Sequence, residues 1–286
     1  MQTYLNDDIL EFKSSKTDGR TFIHTPGEFK RHQFNLSGGT DSGAALYFLC
    51  KYLTETGKTD NEIFIITGWD TEAPGTVWHA NEIYLAIEEQ FPKIKMSQET
   101  FKYTKSYWKN GKILYHDKTE LFKPIERAFR EKHDIKTITY GRTANPPISE
   151  QKKFNFYGTG EKIREEDYDK PPTHEWVYYI KGGKHRSTYP LTNKFYKLDE
   201  HDSNLIFYRQ VPWDRLDKKF IAELYAYTPF LRDTIFPLTA SCISKTPINT
   251  NFWTEPCNDC YWCHEKKWAF KCCDFGTPDY DQYLNT

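Results

Sequence analysis

Residues 34–43 read Phe34, Asn35, Leu36, Ser37, Gly38, Gly39, Thr40, Asp41, Ser42 and Gly43, a short apolar run that breaks into glycine and hydroxyl residues. Paired glycines let the backbone turn with positive φ and bring its N–H groups close to a ligand. A helix starting just beyond them adds unpaired N–H groups and the positive end of its dipole, so the stretch predicts an anion cradle, most simply for phosphate. The Walker arrangement needs Lys and then Ser or Thr after a longer glycine-spaced loop; no such lysine follows, which disfavours a kinase or GTPase type of phosphate loop. Asp41 needs its own reason, because a carboxylate repels phosphate unless it caps the helix N-terminus or meets Mg²⁺, and both roles are open. The competing reading is a plain glycine turn ahead of an ordinary helix.

A second cluster lies far along the chain. Cys257, Cys260 and Cys263 stand at CxxCxxC spacing, and Cys242 supplies a fourth thiol upstream. Four thiolates suit one tetrahedral, structural Zn²⁺. An iron–sulfur cluster uses the same ligand type, and His264, Cys272 and Cys273 are competing ligands close by. Cys50 falls on the buried face of its expected helix, where inert packing is the better account.

Alternating strands and helices must position these groups. Ala45, Leu46, Phe48, Leu49, Tyr52 and Leu53 recur at helical spacing up to Gly57. The continuous apolar run at 62–68 predicts a parallel strand covered on both faces. Trp78, Ile83, Leu85, Ala86 and Ile87 predict a helix closing at Pro92, 93–96 a third strand, 121–133 a helix, and 136–140 a fourth strand. This alternation predicts an α/β fold, a doubly wound parallel sheet whose ligands bind beyond the carboxyl ends of the strands. Three stretches fall at such ends: the 37–42 loop, Gly68 with Trp69 and Asp70, and the loop from Gly141 through Arg142 and Asn145 to Pro147. The last of these reads equally as a Pro-stiffened loop whose Asn satisfies its own turn.

The division expected is an N-terminal extension over 1–33, a nucleotide-binding core over 34–147, an insertion or lid over 148–210, and a C-terminal helical and metal-binding region over 211–286. The insertion carries short aromatic runs at 176–180 and 206–208 around a basic turn at 181–186, and a helix introduced by a loop follows it over 211–224. With 286 residues the chain can bury a sizeable core. No apolar run reaches membrane-spanning length, and the polar, acidic start lacks the pattern of a signal peptide, so a cytoplasmic location is expected. Seven cysteines in that setting are not expected to form a disulfide framework, and the four at metal-like spacing read as ligands. A net charge of -1 argues against a broad nucleic-acid footprint, and direct nucleic-acid binding is not expected. Aromatic residues make up 17% of the chain, enough to stack on a flat heterocycle, although core packing is their commoner use.

The stretch from Ser37 to Ser42 resembles the SGGxDS signature of the PP-loop ATP pyrophosphatase superfamily, the adenine nucleotide alpha-hydrolase-like, HUP-type fold. These enzymes split ATP between the α- and β-phosphates and pass AMP to an acceptor. The resemblance implies that Ser37, Gly38, Gly39 and Ser42 hold the departing pyrophosphate, with Thr40, Thr67, Gly68, Gly141, Arg142 and Asn145 shaping the nucleotide site. Together with Cys242, Cys257, Cys260 and Cys263 and the lysine-containing segment 212–224, the chain resembles the 7-cyano-7-deazaguanine synthase family over about two thirds of its length. That family's GQRH-like stretch is replaced here by residues 67–71, and its Asp-Cys-Arg run is missing after Asn145.

The resemblance implies ATP and Mg²⁺ as cofactors, Zn²⁺ as a structural ion, 7-carboxy-7-deazaguanine and ammonia as substrates, and a homodimer. Ser37, Asp41 and Ser42 would act at the phosphates, and Arg142 or Lys218 would offset charge at the α-phosphate. Two further function classes are weighed beside it. One is another PP-loop adenylating or sulfur-transfer enzyme, akin to a sulfonucleotide reductase or an RNA thiolase, which would use an exposed redox cysteine. The other is a zinc-stabilised nucleic-acid-binding module, against which the intact loop and the near-zero charge both speak.

Overall fold

The computed structural model describes residues 2–6, 9–13, 20–24, 29–71, 75–104, 106–109, 112–115, 118–143, 145–156, 165, 196–199, 206–213, 216–240 and 260–271. The sequence expectations for 176–180 and 181–186, and for Cys242, Cys257, Cys272 and Cys273, lie outside the described residues.

β1 (Gln2–Asn6), β2 (Ile9–Lys13) and β3 (Arg20–His24) form an antiparallel sheet in that order. β4 (Arg31–Asn35), α1 (Thr40–Glu55), β5 (Glu62–Asp70), α2 (Gly75–Gln90) and β6 (Lys95–Tyr103) follow as the first strand–helix alternation. After the β7 (Ser106–Lys109) and β8 (Lys112–Tyr115) hairpin come α3 (Lys118–His133), β9 (Thr137–Tyr140) and α4 (Ile148–Phe154). β10 (Tyr196–Asp199), β11 (Ile206–Gln210), α5 (Lys218–Tyr227) and α6 (Tyr261–Lys271) follow, with a π-helical turn at Leu231–Ile235 that runs into a single helical turn at Phe236–Leu238.

The main sheet runs β10-β11-β9-β4-β5-β6, parallel throughout except for the β10/β11 pair. The apolar run in β5 reflects cover on both faces. Ile63 and Ile65 join the large core with α1, α2 and α5, while Ile66 and Phe64 pack with Phe129 of α3. α1 is buried along most of its length, as a helix wedged between a sheet and other helices must be. Beyond its C-cap, Gly57 takes φ +73, the left-handed conformation that ends helices at little steric cost. Cys50 is fully buried in α1 with its Sγ 3.6 Å from Met96 Sδ, and burial pushes its thiol pKa up.

Several boundaries differ from the sequence expectation. The third strand is nine residues, Lys95–Tyr103, because a turn holds Pro92 and Lys93 and the pairing with β5 continues to Tyr103. Trp69 and Asp70 lie within β5 rather than in a loop beyond it. The loop expected to introduce a helix within 211–224 ends at Asp217, whose side chain caps α5 by accepting from Lys219 N at 2.9 Å. The aromatic run at 206–208 belongs to β11, which pairs in parallel with β9 and so extends the main sheet. The N-terminal residues pack on the core as a sheet, sending Leu10 and Phe12 into it. Among the described residues, no helix is long and apolar enough to cross a membrane.

Candidate active site

Chain order runs outward from β4 in both directions, to β5 and β6 on one side and to β9 and β11 on the other. The crevice between the carboxyl ends of β4 and β9 is therefore the topological switch point, where open parallel sheets bind ligands. The 37–42 stretch leaves β4 there, and the Gly141 loop leaves β9.

Gly38 turns with φ +78 and packs so closely on α2 that an added Cβ would lie 2.8 Å from both His79 Cβ and Thr76 O. Gly39 is the N-cap of α1 and no side chain caps the helix. The first intrahelical bond runs from Gly43 N to Gly39 O at 3.0 Å, so the N–H groups of Thr40, Asp41 and Ser42 precede the helical ladder. Ser42 Oγ fixes the bend, accepting from Ser37 N at 3.2 Å, donating to Gly39 O at 3.1 Å and lying 3.1 Å from Ser37 Oγ. Ser37 is exposed, Gly39 and Asp41 are half-buried, and Thr40 and Ser42 are buried. The bend thus keeps an open side.

Asp41 lies in the first turn of α1 and does not cap it. Its Oδ1 pairs with Lys218 Nζ at 3.0 Å and accepts from Thr40 Oγ1 at 3.1 Å, and its Oδ2 accepts from Thr143 Oγ1 at 2.8 Å. Lys218 is a buried cation that also sits 3.3 Å from Glu265 Oε2. Burial alone would lower the lysine pKa, but the two carboxylates outweigh it and hold the ammonium charged. Burial pushes Glu265 up to about 7, against the pull of Lys218. Lys266 is brought down to about 7 by burial and by the Lys218 charge; it donates to Thr239 O at 3.1 Å and lies 3.0 Å from Thr239 Oγ1. The chemical result is a phosphate-type loop whose own carboxylate is neutralised from beneath, leaving the helix N-terminus electropositive.

The remaining expected residues divide between this bend and its surroundings. Gly141 touches it directly: an added Cβ would sit 2.4 Å from Ser42 Cα, so only glycine lets the β9 loop reach the start of α1. Arg142 follows, exposed. Asn145 accepts at Oδ1 from Tyr261 OH at 3.0 Å and is thereby tied to α6. Thr67 is buried and accepts from Gln98 Nε2 at 2.9 Å, and Gly68 is wedged against the rings of Phe122 and Tyr103. Cys260 and Cys263 place their sulfurs 3.4 Å apart at the start of α6. Among the described residues, no group of three or more possible metal ligands comes together.

Sequence reasoning missed the residues that clamp the loop from the C-terminal region. Trp213 Nε1 donates to Asp41 O at 3.0 Å and Tyr225 OH to Thr40 O at 3.0 Å, both from buried side chains. Ala240 N donates to Gly38 O at 2.9 Å, and His79 Nδ1 donates to Leu238 O at 2.7 Å. A signal existed for Glu265: it shares the helical stripe of Tyr261 and Ala269, and a carboxylate on an apolar stripe marks a buried ion pair, here with Lys218. None existed for Trp213 and Tyr225, which read as ordinary core aromatics.

No protein-family model matches the chain, and no curated protein matches it. Among solved structures, the U34-tRNA thiolase NcsA from Methanococcus maripaludis, with its 4Fe-4S cluster, is similar at 13% identity with a TM-score of 0.36. That likeness covers 68% of this chain and 55% of the thiolase, so the chain spans about half of that protein's length. A likeness this distant decides neither fold nor activity, and the fold stands on the strand order and register.

Proposed function

We propose that this chain is an ATP-dependent PP-loop enzyme that adenylates a carboxylated deazaguanine and converts it with ammonia to the nitrile. The observation that carries the reading is the uncapped start of α1 at the switch point, with the Asp41 charge neutralised by Lys218 so that it does not oppose an anion at the N–H groups. In the reaction, the substrate carboxylate attacks the α-phosphate of ATP, pyrophosphate leaves, and ammonia displaces AMP from the acyl adenylate to give the amide. Attack of the amide oxygen on the α-phosphate of a second ATP expels a second pyrophosphate with loss of one amide proton, and elimination of AMP with the other proton leaves the nitrile. The chain's part is to hold the leaving pyrophosphate with the N–H groups of Thr40, Asp41 and Ser42 and with Ser37 Oγ. Arg142, exposed beside Gly141, would offset charge at the α-phosphate. Lys218 acts through Asp41 instead. Both Asp41 oxygens are engaged by protein donors, so Mg²⁺ would arrive on the nucleotide's phosphates rather than on this carboxylate.

Cys260 and Cys263 suit two ligands of a structural zinc. A tetrahedron with Zn–S of about 2.3 Å has an S···S edge of roughly 3.8 Å, near the 3.4 Å seen. Cys242 and Cys257 would supply the other two thiolates, and the ion would fix the C-terminal segments. A second reading, sulfur transfer, is supported by one observation: Tyr261, next to Cys260, is bonded to Asn145 on the β9 loop, so a thiol pair lies one residue from a tie to that loop.

The test is release of AMP and pyrophosphate from ATP, with and without 7-carboxy-7-deazaguanine and ammonia. Stimulation by the pair with nitrile product supports the ligase. AMP release that the pair leaves unchanged moves the chain to another adenylating chemistry, and no AMP at all removes the enzymatic reading. Elemental analysis with an absorption spectrum separates colourless zinc from an absorbing iron–sulfur cluster.

A further inference from the structure

The start of α6 carries two kinds of group close together. Cys260 and Cys263 stand at its first turn, and Glu265 and Lys266 follow at once, both buried. Three separate connections run from this helix to the phosphate loop. Glu265 Oε2 lies 3.3 Å from Lys218 Nζ, which pairs with Asp41 Oδ1 at 3.0 Å. Lys266 Nζ donates to Thr239 O at 3.1 Å, and the N–H of that same peptide group, on Ala240, donates to Gly38 O at 2.9 Å. Further along α6, the ring of Phe270 lies 5.8 Å from that of Tyr225, whose hydroxyl donates to Thr40 O at 3.0 Å. Gly38, Thr40 and Asp41 are each one intermediary away from a single helix.

Two of these connections are charged in apolar surroundings. Lys266 Nζ lies 4.5 Å from the centre of the Phe236 ring, and Ala269 and Phe270 belong to the large core. Apolar side chains of similar size often serve stability as well as buried ions do, so stability alone does not account for the pair. What ion pairs and hydrogen bonds add is direction, because they weaken steeply when donor and acceptor are misaligned. A peptide whose carbonyl accepts from an ammonium is also polarised, which strengthens the bond that its N–H makes on the far side. The receiving end is the bend at Gly38, with φ +78, and the uncapped first turn of α1. A shift of α6 is therefore passed to the N–H groups that face an anion. A metal held by the thiol pair would fix the same helix at its start, since the sulfurs are 3.4 Å apart and Cys263 precedes Glu265 by only two residues.

We propose that Glu265 and Lys266 are positioning residues for the phosphate loop, and that through them metal binding at Cys260 and Cys263 is linked to nucleotide binding. The proposal deepens the PP-loop reading above and rests on it. Glu265 acts through Lys218 and Asp41, and Lys266 acts through the 239–240 peptide; neither touches the nucleotide. Linkage of this kind is reciprocal: a metal that tightens nucleotide binding is itself bound tighter, by the same factor, when nucleotide is present. A network that merely holds the fold together would change thermal stability and leave the two affinities independent.

The experiment uses the full chain, stripped with a chelator that is then removed, and the same protein reloaded with Zn²⁺. Calorimetry measures the affinity of each for the Mg²⁺ complex of an ATP analogue that resists cleavage between the α- and β-phosphates. Competition with a chromophoric chelator measures Zn²⁺ affinity with and without that analogue. Reloading should tighten analogue binding roughly tenfold, and the analogue should tighten Zn²⁺ binding by the same factor. Glu265→Gln and Lys266→Met should each shrink the factor, and together bring it to within about twofold of unity while Zn²⁺ still binds. The reciprocity is read on wild type, so the test stands should either variant fold poorly.

Equal analogue affinity with and without Zn²⁺ overturns the proposal and leaves the adenylating activity standing, as does a chain that binds the analogue but no Zn²⁺. A linkage factor undiminished in the double variant takes Glu265 and Lys266 out of the path and overturns it too. Stripping that abolishes the far-ultraviolet circular dichroism signal makes the metal a clamp for the whole fold, which also overturns the proposal. A chain that binds Zn²⁺ but no ATP analogue in either state, and releases no AMP from ATP, rejects the nucleotide reading itself and this proposal with it.

Discussion

At the scale of single residues, the decisive arrangement is a carboxylate placed within a phosphate-binding turn and cancelled there. Lys218 reaches Asp41 from α5 with both side chains largely shielded from water. Removing one partner of such a buried pair leaves the other charge stranded, at a cost of about 3–5 kcal/mol. Lys218→Met should therefore lower unfolding free energy by that order and weaken ATP binding, because the bare carboxylate now faces the triphosphate. Denaturant titration and calorimetry check the two effects. Asp41→Asn combined with Lys218→Met should recover part of the stability, since Glu265 still lacks its cation, and adding Glu265→Gln should recover more; a double variant as unstable as the single one would show that the Asp41 pair is not what matters.

At the scale of elements, the question is how separate strands and helices are held in one place. The β9 loop touches α1 only because residue 141 lacks a side chain. Gly141→Ala should force the two apart, costing about 1–3 kcal/mol and reducing nucleotide affinity at least tenfold, read by calorimetry with an ATP analogue. At the opposite end of the sheet, His32 of β4 donates from Nε2 to Asn61 Oδ1 and faces Thr137 Oγ1 of β9 with Nδ1, each at 2.7 Å. Burial lowers its pKa below the ordinary value, so it is neutral in the folded state. The unfolded chain takes up that proton more readily, so stability is intact above about pH 6.5 and falls as the pH drops below it. His32→Gln should flatten this part of the stability profile between pH 7 and 5, measured by chemical denaturation at each pH.

For the molecule as a whole, the N-terminal sheet is part of the same core as the nucleotide fold. Phe12 of β2 lies 4.9 Å from the ring of Phe48 in α1 and 5.2 Å from that of Trp213, whose indole N–H holds the Asp41 carbonyl. Phe12→Ala should cost about 3–5 kcal/mol and lower the midpoint of the main unfolding transition rather than release a local segment. Tryptophan emission and far-ultraviolet circular dichroism should shift together. A separate early transition with an unchanged main one would show that the N-terminal sheet is an independent unit.

The amino-acid sequence by itself determined the strand–loop–helix at 34–55, the doubly apolar β5, the alternating α/β order and the inert burial of Cys50. Each of these is written in local periodicity and turn chemistry, which act over a few residues. Only the tertiary structure decided that Lys218 is shared by Asp41 and Glu265, that Trp213 and Tyr225 grip the loop, that β11 joins the main sheet, and that Asn35 and Tyr140 both reach Glu126. Those groups lie far apart along the chain, and their meeting depends on strand order and helix facing. A buried charge carries no local mark of its partner, because pairing is a matter of distance in space.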